Sequence, residues 1–492
     1  MVIAPSSEIE RFRSALGERL GLWLDEAKLP ELSALLSRRA AACDLPPAQY
    51  VALMDDTARG SDERRVLAQE LTVTETYFFR QGDQLTALAD HLAGHSGPLN
   101  ILSAGCASGE EPYSIAMTLR ERLPQLAAST TIRAADINPA MLERAKAGVY
   151  SSWALRETPE PIAQRWFRRE GSNGFVLDRE ICAAVTFQER NLIERNADLL
   201  APGAFHAIFF RNVVMYFTPH AQAEVIDRLA RALVPGGVLF LGYAETLRGL
   251  STAFHLRHSR DTFYYQRRDG SVAGSVPRAR SVQAAATVEA RDELGLHWFE
   301  AIAEASERVR KLTEPQPRAV EPARAAFDLG PAFELLRKER FGDALDAIHA
   351  LPQAATRDPD VLLLRCALLV HSGKLEAARA TCSVLLERDE LNAGAHYLLA
   401  LICEGERDLN GAAEHNRIAA YLDPAFAMPR LHLGLLARRR GDALTARREL
   451  RQAYALLERE ETARLLLFAG GFERNALLAL CRTELAACGG TL

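Results

Sequence analysis

Apolar positions open the chain at helical spacing: Ile9, Phe12, Leu16 and Leu20 form one stripe, and Leu32, Leu35 and Leu36 another. Pro30 and the Pro46-Pro47 pair punctuate them, so residues 1–88 read as an N-terminal helical domain. From Leu99 the period changes. Leu99 to Ser103 is a short apolar run, Ala104 to Gly109 a loop of small residues, and Pro112 to Arg122 an amphipathic helix. A second strand, Thr131 to Ala135, ends on Asp136, and Pro139 starts another helical pattern. The turn signal Gly171-Ser172-Asn173-Gly174, with Phe175-Val176-Leu177 and Val185-Thr186-Phe187 after it, predicts a small antiparallel insert at about 165–190. The strand Ala207 to Phe210 runs into Arg211-Asn212-Val213-Val214-Met215-Tyr216-Phe217. A helix from Pro219 to Leu233, closed by Pro235-Gly236-Gly237, precedes strands Val238 to Leu241 and Thr262 to Gln266. Residues 89–267 thus read as an α/β domain with a Rossmann-like core.

Residues 268–326 are rich in Pro and Gly and read as a linker, with one amphipathic helix around Glu293 to Leu312. From Phe327 the chain repeats. A G-x-x-x-x-A frame recurs at Gly342 to Ala347, Gly373 to Ala378 and Gly441 to Ala446, and Arg407 to Ala412 keeps it without the glycine. The four alanines are spaced by 31, 34 and 34 residues, which makes the first unit degenerate. Cys366, Ala400 and Gly434 stand twelve residues before the last three, small enough for two helices to pack closely. This period resembles tetratricopeptide repeats over 327–460, an array that binds protein segments in its concave face, with capping helices over 461–492.

Composition narrows the class. The 492 residues are 48% hydrophobic and 25% charged, with a net charge of -5 and no basic, aromatic-interleaved stretch, which excludes a nucleic-acid partner. No run of 18 apolar residues occurs, and MVIAPSSEIERF lacks the charged start and apolar middle of a signal peptide. A cytoplasmic protein without membrane insertion is expected. The eight cysteines are scattered without a CxxC pair, so neither a disulfide framework nor a metal site is indicated.

Strand, small-residue loop, helix, strand and acid make the first half of a nucleotide-binding βαβ unit. The 27 residues from Gly109 to Asp136 compare with about 20 in that motif, and Asp136 is placed to accept hydrogen bonds from a ribose diol. The loop is not GxGxxG. Glu110 and Glu111 at the helix start would repel a pyrophosphate, so a cationic adenosyl ligand, S-adenosylmethionine, suits it better than NAD. Leu71-Thr72-Val73-Thr74-Glu75-Thr76-Tyr77-Phe78-Phe79-Arg80 supplies hydroxyls, apolar walls and one cation, as a ligand pocket needs. Arg38 and Arg39 fit either a solvated helix end or a surface for an acidic partner.

In that order LTVTETYFFR, SAGCASGEEPYS, AADIN, the Asn191-Leu192 pair and FFRNVVMYF resemble the chemotaxis receptor methyltransferase family, CheR, over residues 1 to about 267. A subset of that family carries tetratricopeptide repeats. The resemblance implies an N-terminal helical domain, a Rossmann-like S-adenosylmethionine-dependent core with a small antiparallel β insert, and an all-α repeat solenoid. It implies methyl transfer from S-adenosylmethionine to glutamate side chains of a methyl-accepting chemotaxis receptor, leaving S-adenosylhomocysteine. Thr74, Thr76, Arg80, Glu110, Asp136, Asn191, Leu192, Phe210 and Arg211 would contact the cofactor, Thr74 standing where many relatives have asparagine. Arg80 and Tyr216 match the positions discussed as catalytic, and Arg38 and Arg39 would face the receptor. The insert is shorter than in relatives that dock a receptor tail there, which points to the repeats as the docking device for a further protein partner. A methyltransferase for another substrate and a non-catalytic scaffold that senses the cofactor are the alternatives.

Overall fold

The computed structural model describes residues 6–25, 28–56, 59–171, 174–243, 245–259, 262–268 and 328–489. The expected linker beyond Arg268, with its helix at 293–312, lies outside them. The described residues divide into two compact units, those up to 245 and 250–268 in the first, and 246–249 with 328–489 in the second.

The first unit opens with helices α1 (Ser6–Leu20), α2 (Leu29–Ala42), α3 (Pro47–Asp55) and α4 (Ser61–Leu71). Their apolar stripes meet in one core of Phe12, Leu16, Leu20, Leu35, Leu36, Tyr50, Met54 and Leu67. Pro30 and Pro47 sit in the first turns of α2 and α3, where the missing N–H costs nothing. Arg39 lies across this bundle and not on its outside. Its Nη2 donates to Glu63 Oε1 at 2.7 Å and its Nε to Oε2 at 3.1 Å, while Tyr50 donates to Oε2 at 2.9 Å. Arg38 is the solvent-facing member of the pair and reaches Glu70. Burial raises the Glu63 pKa, but the bonds from Arg39 and Tyr50 outweigh it, and the net shift is downward from 4.5. A depressed carboxylate contributes stability above its unfolded pKa and loses it as pH falls through the folded value. Amide protection in α2 and α4 should therefore hold above pH 4.5 and drop below it, and Glu63→Gln should remove that step. An unchanged step in the variant would assign it elsewhere.

Helix α5 (Gly82–Leu92) leads into a seven-stranded sheet of order β6-β2-β1-β7-β8-β10-β9. Its strands are β1 (Leu99–Ala104), β2 (Thr130–Asp136), β6 (Val185–Glu189), β7 (Phe205–Phe209), β8 (Leu233–Phe240), β9 (Phe254–Ser259) and β10 (Thr262–Arg267). β1 and β7 are the central pair, parallel with Ile101 opposite Ala207, and nearly every residue in them is buried because both faces are covered. The covering helices are α6 (Glu110–Arg122), the short α7 (Pro124–Ala127), α8 (Pro139–Ala147) and, after the insert, α11 (Pro219–Ala232). The chain winds one way from β1 to β2 and β6 and the other way from β7 to β8. The switch between β1 and β7 opens a crevice at their carboxyl ends.

The insert is antiparallel, but its strands differ from those expected. β3 (Val149–Ser151), β4 (Phe167–Glu170) and β5 (Gly174–Leu177) form it in the order β3-β5-β4, with α9 (Glu160–Trp166) between β3 and β4. Val185-Thr186-Phe187 belongs to the main sheet: after α10 (Arg179–Ala183), β6 pairs in parallel with β2, Ile132 opposite Val185. A run of three apolar-leaning residues suits either sheet, and the crossover from β2 decides. β8 likewise begins at Leu233, before Pro235-Gly236-Gly237, and absorbs those residues as a shift in its register with β7.

Over its described residues from 328 to 489 the second unit is all-helical. The hairpins are α12 (Gly330–Arg337) with α13 (Phe341–His349), α14 (Pro359–His371) with α15 (Leu375–Arg388), α16 (Ala393–Gly405) with α17 (Leu409–Leu422), and α18 (Ala427–Arg439) with α19 (Ala443–Leu457). α20 (Thr462–Phe468) and α21 (Arg474–Ala487) follow. The first repeat is not degenerate. Its buried alanine is Ala344, which stands 34 residues before Ala378, and Ala344, Ala378, Ala412 and Ala446 are all fully buried. Five residues earlier in each unit, Glu339, Gly373, Arg407 and Gly441 hold φ between 57° and 79°. The recurring feature is the left-handed turn residue, and glycine only makes it cheap. Cys366 of α14 and Cys382 of α15 are joined by a disulfide with their Cα atoms 6.2 Å apart, contrary to the expectation from spacing. The hairpin brings together two small buried positions sixteen residues apart. Among the described residues no helix is long and apolar enough to cross a membrane.

Candidate functional site

The loop after β1 turns sharply. Gly105 donates to Ala135 O at 2.7 Å with φ at 78°, and a Cβ there would lie 2.4 Å from Val213 Cγ2. Only glycine fits both the dihedral and the approach. The loop then meets the end of β2. Asp136 accepts from Ala107 N at 2.8 Å through Oδ2 and from Asn138 N at 2.8 Å through Oδ1. Burial raises its pKa against the pull of these amides. Each oxygen keeps a lone pair for another donor, as a vicinal diol would supply.

The two glutamates at the start of α6 divide their labour. Glu110 is buried and turned inward, accepting from Ser108 Oγ at 2.8 Å, and its pKa is raised by that burial. Glu111 faces the crevice: Oε1 accepts from Ser103 Oγ at 2.6 Å and Oε2 from Arg211 Nε at 2.6 Å. Arg211, past the end of β7, is itself buried. Its Nη1 donates to the Arg80 carbonyl at 2.7 Å and to Gln84 Oε1 at 3.1 Å, and Gln84 Nε2 reaches Leu241 O at 2.8 Å. One buried guanidinium thus ties α6, the strand end and the 72–84 segment together.

That segment is held at both ends. Phe78 and Phe79 are buried, with Phe79 N donating to Ser114 Oγ at 2.9 Å, while Thr72 Oγ1 accepts from Asn138 Nδ2 at 2.9 Å. Phe79 (φ 59°) and Gln81 (φ 56°) flank Arg80 in the left-handed region, where bulky residues rarely sit. Such strain costs about 1–3 kcal/mol per residue and persists where packing over-determines it, as at ligand sites. The Arg80 head donates to Glu75 O at 3.3 Å and lies 5.6 Å from the Tyr77 ring.

Opposite stands the turn Val214–Tyr216. Glu245, fully buried, accepts from Asn212 N and Gly242 N at 2.7 Å each and shapes this loop. The end of α1 is stitched to it: Trp23 N donates to Tyr216 O at 2.7 Å, and Leu22 bridges Phe217. Asn191 Nδ2 adds a bond to Arg19 O at 2.8 Å.

These parts enclose a cleft. Of the residues named from the sequence, Thr74, Thr76, Arg80, Asp136, Asn191, Leu192, Arg211 and Tyr216 line it, and Trp23, Glu111, Ile137 and Met141 line it without having been given a site role. Glu110 and Phe210 do not line it. Phe210 is buried beneath, its N–H on Phe240 O at 2.9 Å. Arg38 and Arg39 lie on α2 and do not line this cleft. Glu111 was within reach of the sequence as the other half of a Glu-Glu pair. Trp23 and Glu245 carried no local signal.

Residues 74–263 match the family described as "CheR methyltransferase, SAM binding domain". The chain is similar to the chemotaxis protein methyltransferase of Vibrio parahaemolyticus, 38% identical over 213 residues, 42% of this chain and 76% of that protein. It is similar to that of Escherichia coli at 33% over 254 residues, 51% of this chain and 88% of that protein. The match to the "Probable biofilm formation methyltransferase WspC" of Pseudomonas putida, 29% identical, runs over 449 residues, 89% of this chain and 96% of that protein.

Proposed function

The chain belongs to the CheR family of chemotaxis protein methyltransferases, enzymes that use S-adenosylmethionine, and from that premise we propose that it esterifies glutamate side chains of a methyl-accepting chemotaxis receptor in the cytoplasm. The observation that carries this reading is the convergence of Asp136, Arg80 and Tyr216 on one cleft at the carboxyl ends of β1 and β7.

The donor set suits the cofactor. Asp136 takes the ribose hydroxyls, Ile137, Met141 and Leu192 offer apolar surface to the adenine, and Thr74, Thr76 and Arg80 hold the amino-acid end. When bound, the cofactor supplies a methyl group activated by its sulfonium. A substrate glutamate is already ionised at neutral pH, so no general base is required. What remains is orientation, which contributes roughly 7–11 kcal/mol in favourable cases. Arg80 and Tyr216 align the carboxylate, Tyr216 by a hydrogen bond. Labelled methyl transfer to a receptor cytoplasmic fragment, released by mild base as methanol, tests the reading, and a base-stable product or none would overturn it.

Asp136→Ala should weaken S-adenosylmethionine by about 1.5–3 kcal/mol, the worth of a charge-assisted contact. Calorimetric titration with unchanged affinity would remove Asp136 from the ribose site. The match spanning 89% of this chain reaches into the repeats, which favours a receptor that governs biofilm formation over one that governs swimming. The repeats serve to dock a further protein partner.

A further inference from the structure

Part of the face that the first helices of the array form is occupied by the chain itself. α20 leaves the last hairpin and lies across the first helices of the others, packing on α12 and α14. The Phe468 ring meets Tyr397 of α16 at 5.7 Å and Phe426, just ahead of α18, at 5.0 Å. A Cβ on Gly394 of α16 would come within 2.8 Å of Phe468 Cζ, so that position is shaped to the ring. Two polar contacts set the depth: His371 Nε2 lies 2.9 Å from Leu467 O, and Tyr397 donates to Phe468 O at 3.3 Å. Arg464 sits between Asp423 Oδ2 at 2.6 Å and Glu460 Oε1 at 3.3 Å, over the Phe426 ring at 5.0 Å. Leu465, Leu467 and Phe468 are buried by these contacts.

α20 is not the cap of the array. That task falls to α21, which packs along α19. With seven residues α20 is also too short to be stable as an isolated helix, so the groove supplies its order. First helices of stacked hairpins line the concave surface by which such arrays bind protein segments, and a short amphipathic helix in an apolar groove is a recurring mode of recognition. Arg464 and Phe468, four residues apart on one face, give the pattern that this groove reads.

We propose that α20 is a tethered occupant of the docking groove, and that the partner recruited by the repeats presents a short helix of the same chemistry, a basic residue followed four positions later by an aromatic with leucines between, which displaces it. This rests on the reading of the repeats as a docking module. Glu458–Glu461 on one side, where the buried Glu460 accepts from Ala427 N at 2.8 Å, and the exposed Gly470-Gly471 pair on the other tether it to the array. Short tethers give an effective concentration on the order of 1 mM, so a segment with an intrinsic Kd of about 10 µM would bind roughly 100-fold more weakly until α20 lets go.

The probe is a fluorescent peptide with the sequence of residues 461–472, titrated into the full chain and into the double variant Leu465→Asp, Phe468→Asp. The variant should bind the peptide at least tenfold more tightly than the unaltered chain and should ignore a scrambled peptide. Equal affinities, no binding to either protein, or equal binding of the scrambled peptide would overturn the proposal. Because the substitutions could loosen the array, hydrogen exchange on the unaltered chain gives a second reading. Amides of α20 should exchange at least tenfold faster than those of α16, and saturating peptide should speed them further while α16 stays protected. Protection of α20 equal to α16, unchanged by peptide, would make it a permanent core element and sink the idea. Neither measurement uses receptor or cofactor, so a failure here leaves the methyl-transfer reading standing, and the reverse also holds.

Discussion

Arg211→Ala should destabilise the first unit by about 3–5 kcal/mol, the cost of removing one partner of a buried ion pair. The side chains of Arg211 and Glu111 are only 3% and 10% exposed, so water cannot take over when the guanidinium is lost. The vacancy leaves Glu111 with Ser103 alone, Gln84 Oε1 without its donor, and the Arg80 carbonyl without its anchor. Amide exchange in β1 and β7 reads the loss without assuming a single transition for a chain of two units. The double variant Arg211→Ala, Glu111→Ala should recover part of it, because the orphaned charge goes too. A single-variant cost below about 1 kcal/mol would mean that the pair is not the clasp described here. Cofactor affinity should fall along with stability, since Arg211 sets where the segment bearing Arg80 lies.

Arg80→Ala should behave in the opposite way. The Arg80 head has a long bond to Glu75 O and a loose approach to Tyr77, so its removal should change stability by no more than about 0.5 kcal/mol. Methyl transfer at saturating cofactor and receptor should fall roughly 100-fold, the penalty for a misplaced reacting group. The expectation comes from the left-handed backbone on both sides of Arg80, which the fold would not maintain for an idle surface charge. Arg80→Lys should recover only part of the rate, because an ammonium cannot grip a carboxylate in two places. Single-turnover rates within threefold of the unaltered protein would remove Arg80 from the reaction.

The first βαβ unit was legible because it is local. The small-residue loop, the helix and the acid at the end of β2 follow one another within forty residues, and period and glycine placement alone predict them. The same holds for the 34-residue period, carried by small residues that must let helices touch. Other choices depended on residues far apart in the chain. Glu110 and Glu111 are chemically identical, and only Arg211, a hundred residues on, draws one to the crevice while Ser108 keeps the other inside. Val185-Thr186-Phe187 could pair in either sheet until β2 took it. Arg39 fitted either a solvated helix end or a docking surface, and Glu63 and Tyr50 turned it inward. Trp23 joined the cleft through a backbone bond to Tyr216, which no side-chain pattern announces. The first repeat hid its frame because Glu339 holds the left-handed turn that glycine holds elsewhere. Sequence by itself determined the first βαβ unit, the helical repeat and the chemical class of the cofactor, since these follow from short-range periodicity and loop chemistry. Tertiary structure decided which of several equivalent side chains faces the cleft and which segment fills the repeat groove, because burial and charge pairing are settled only when distant surfaces meet.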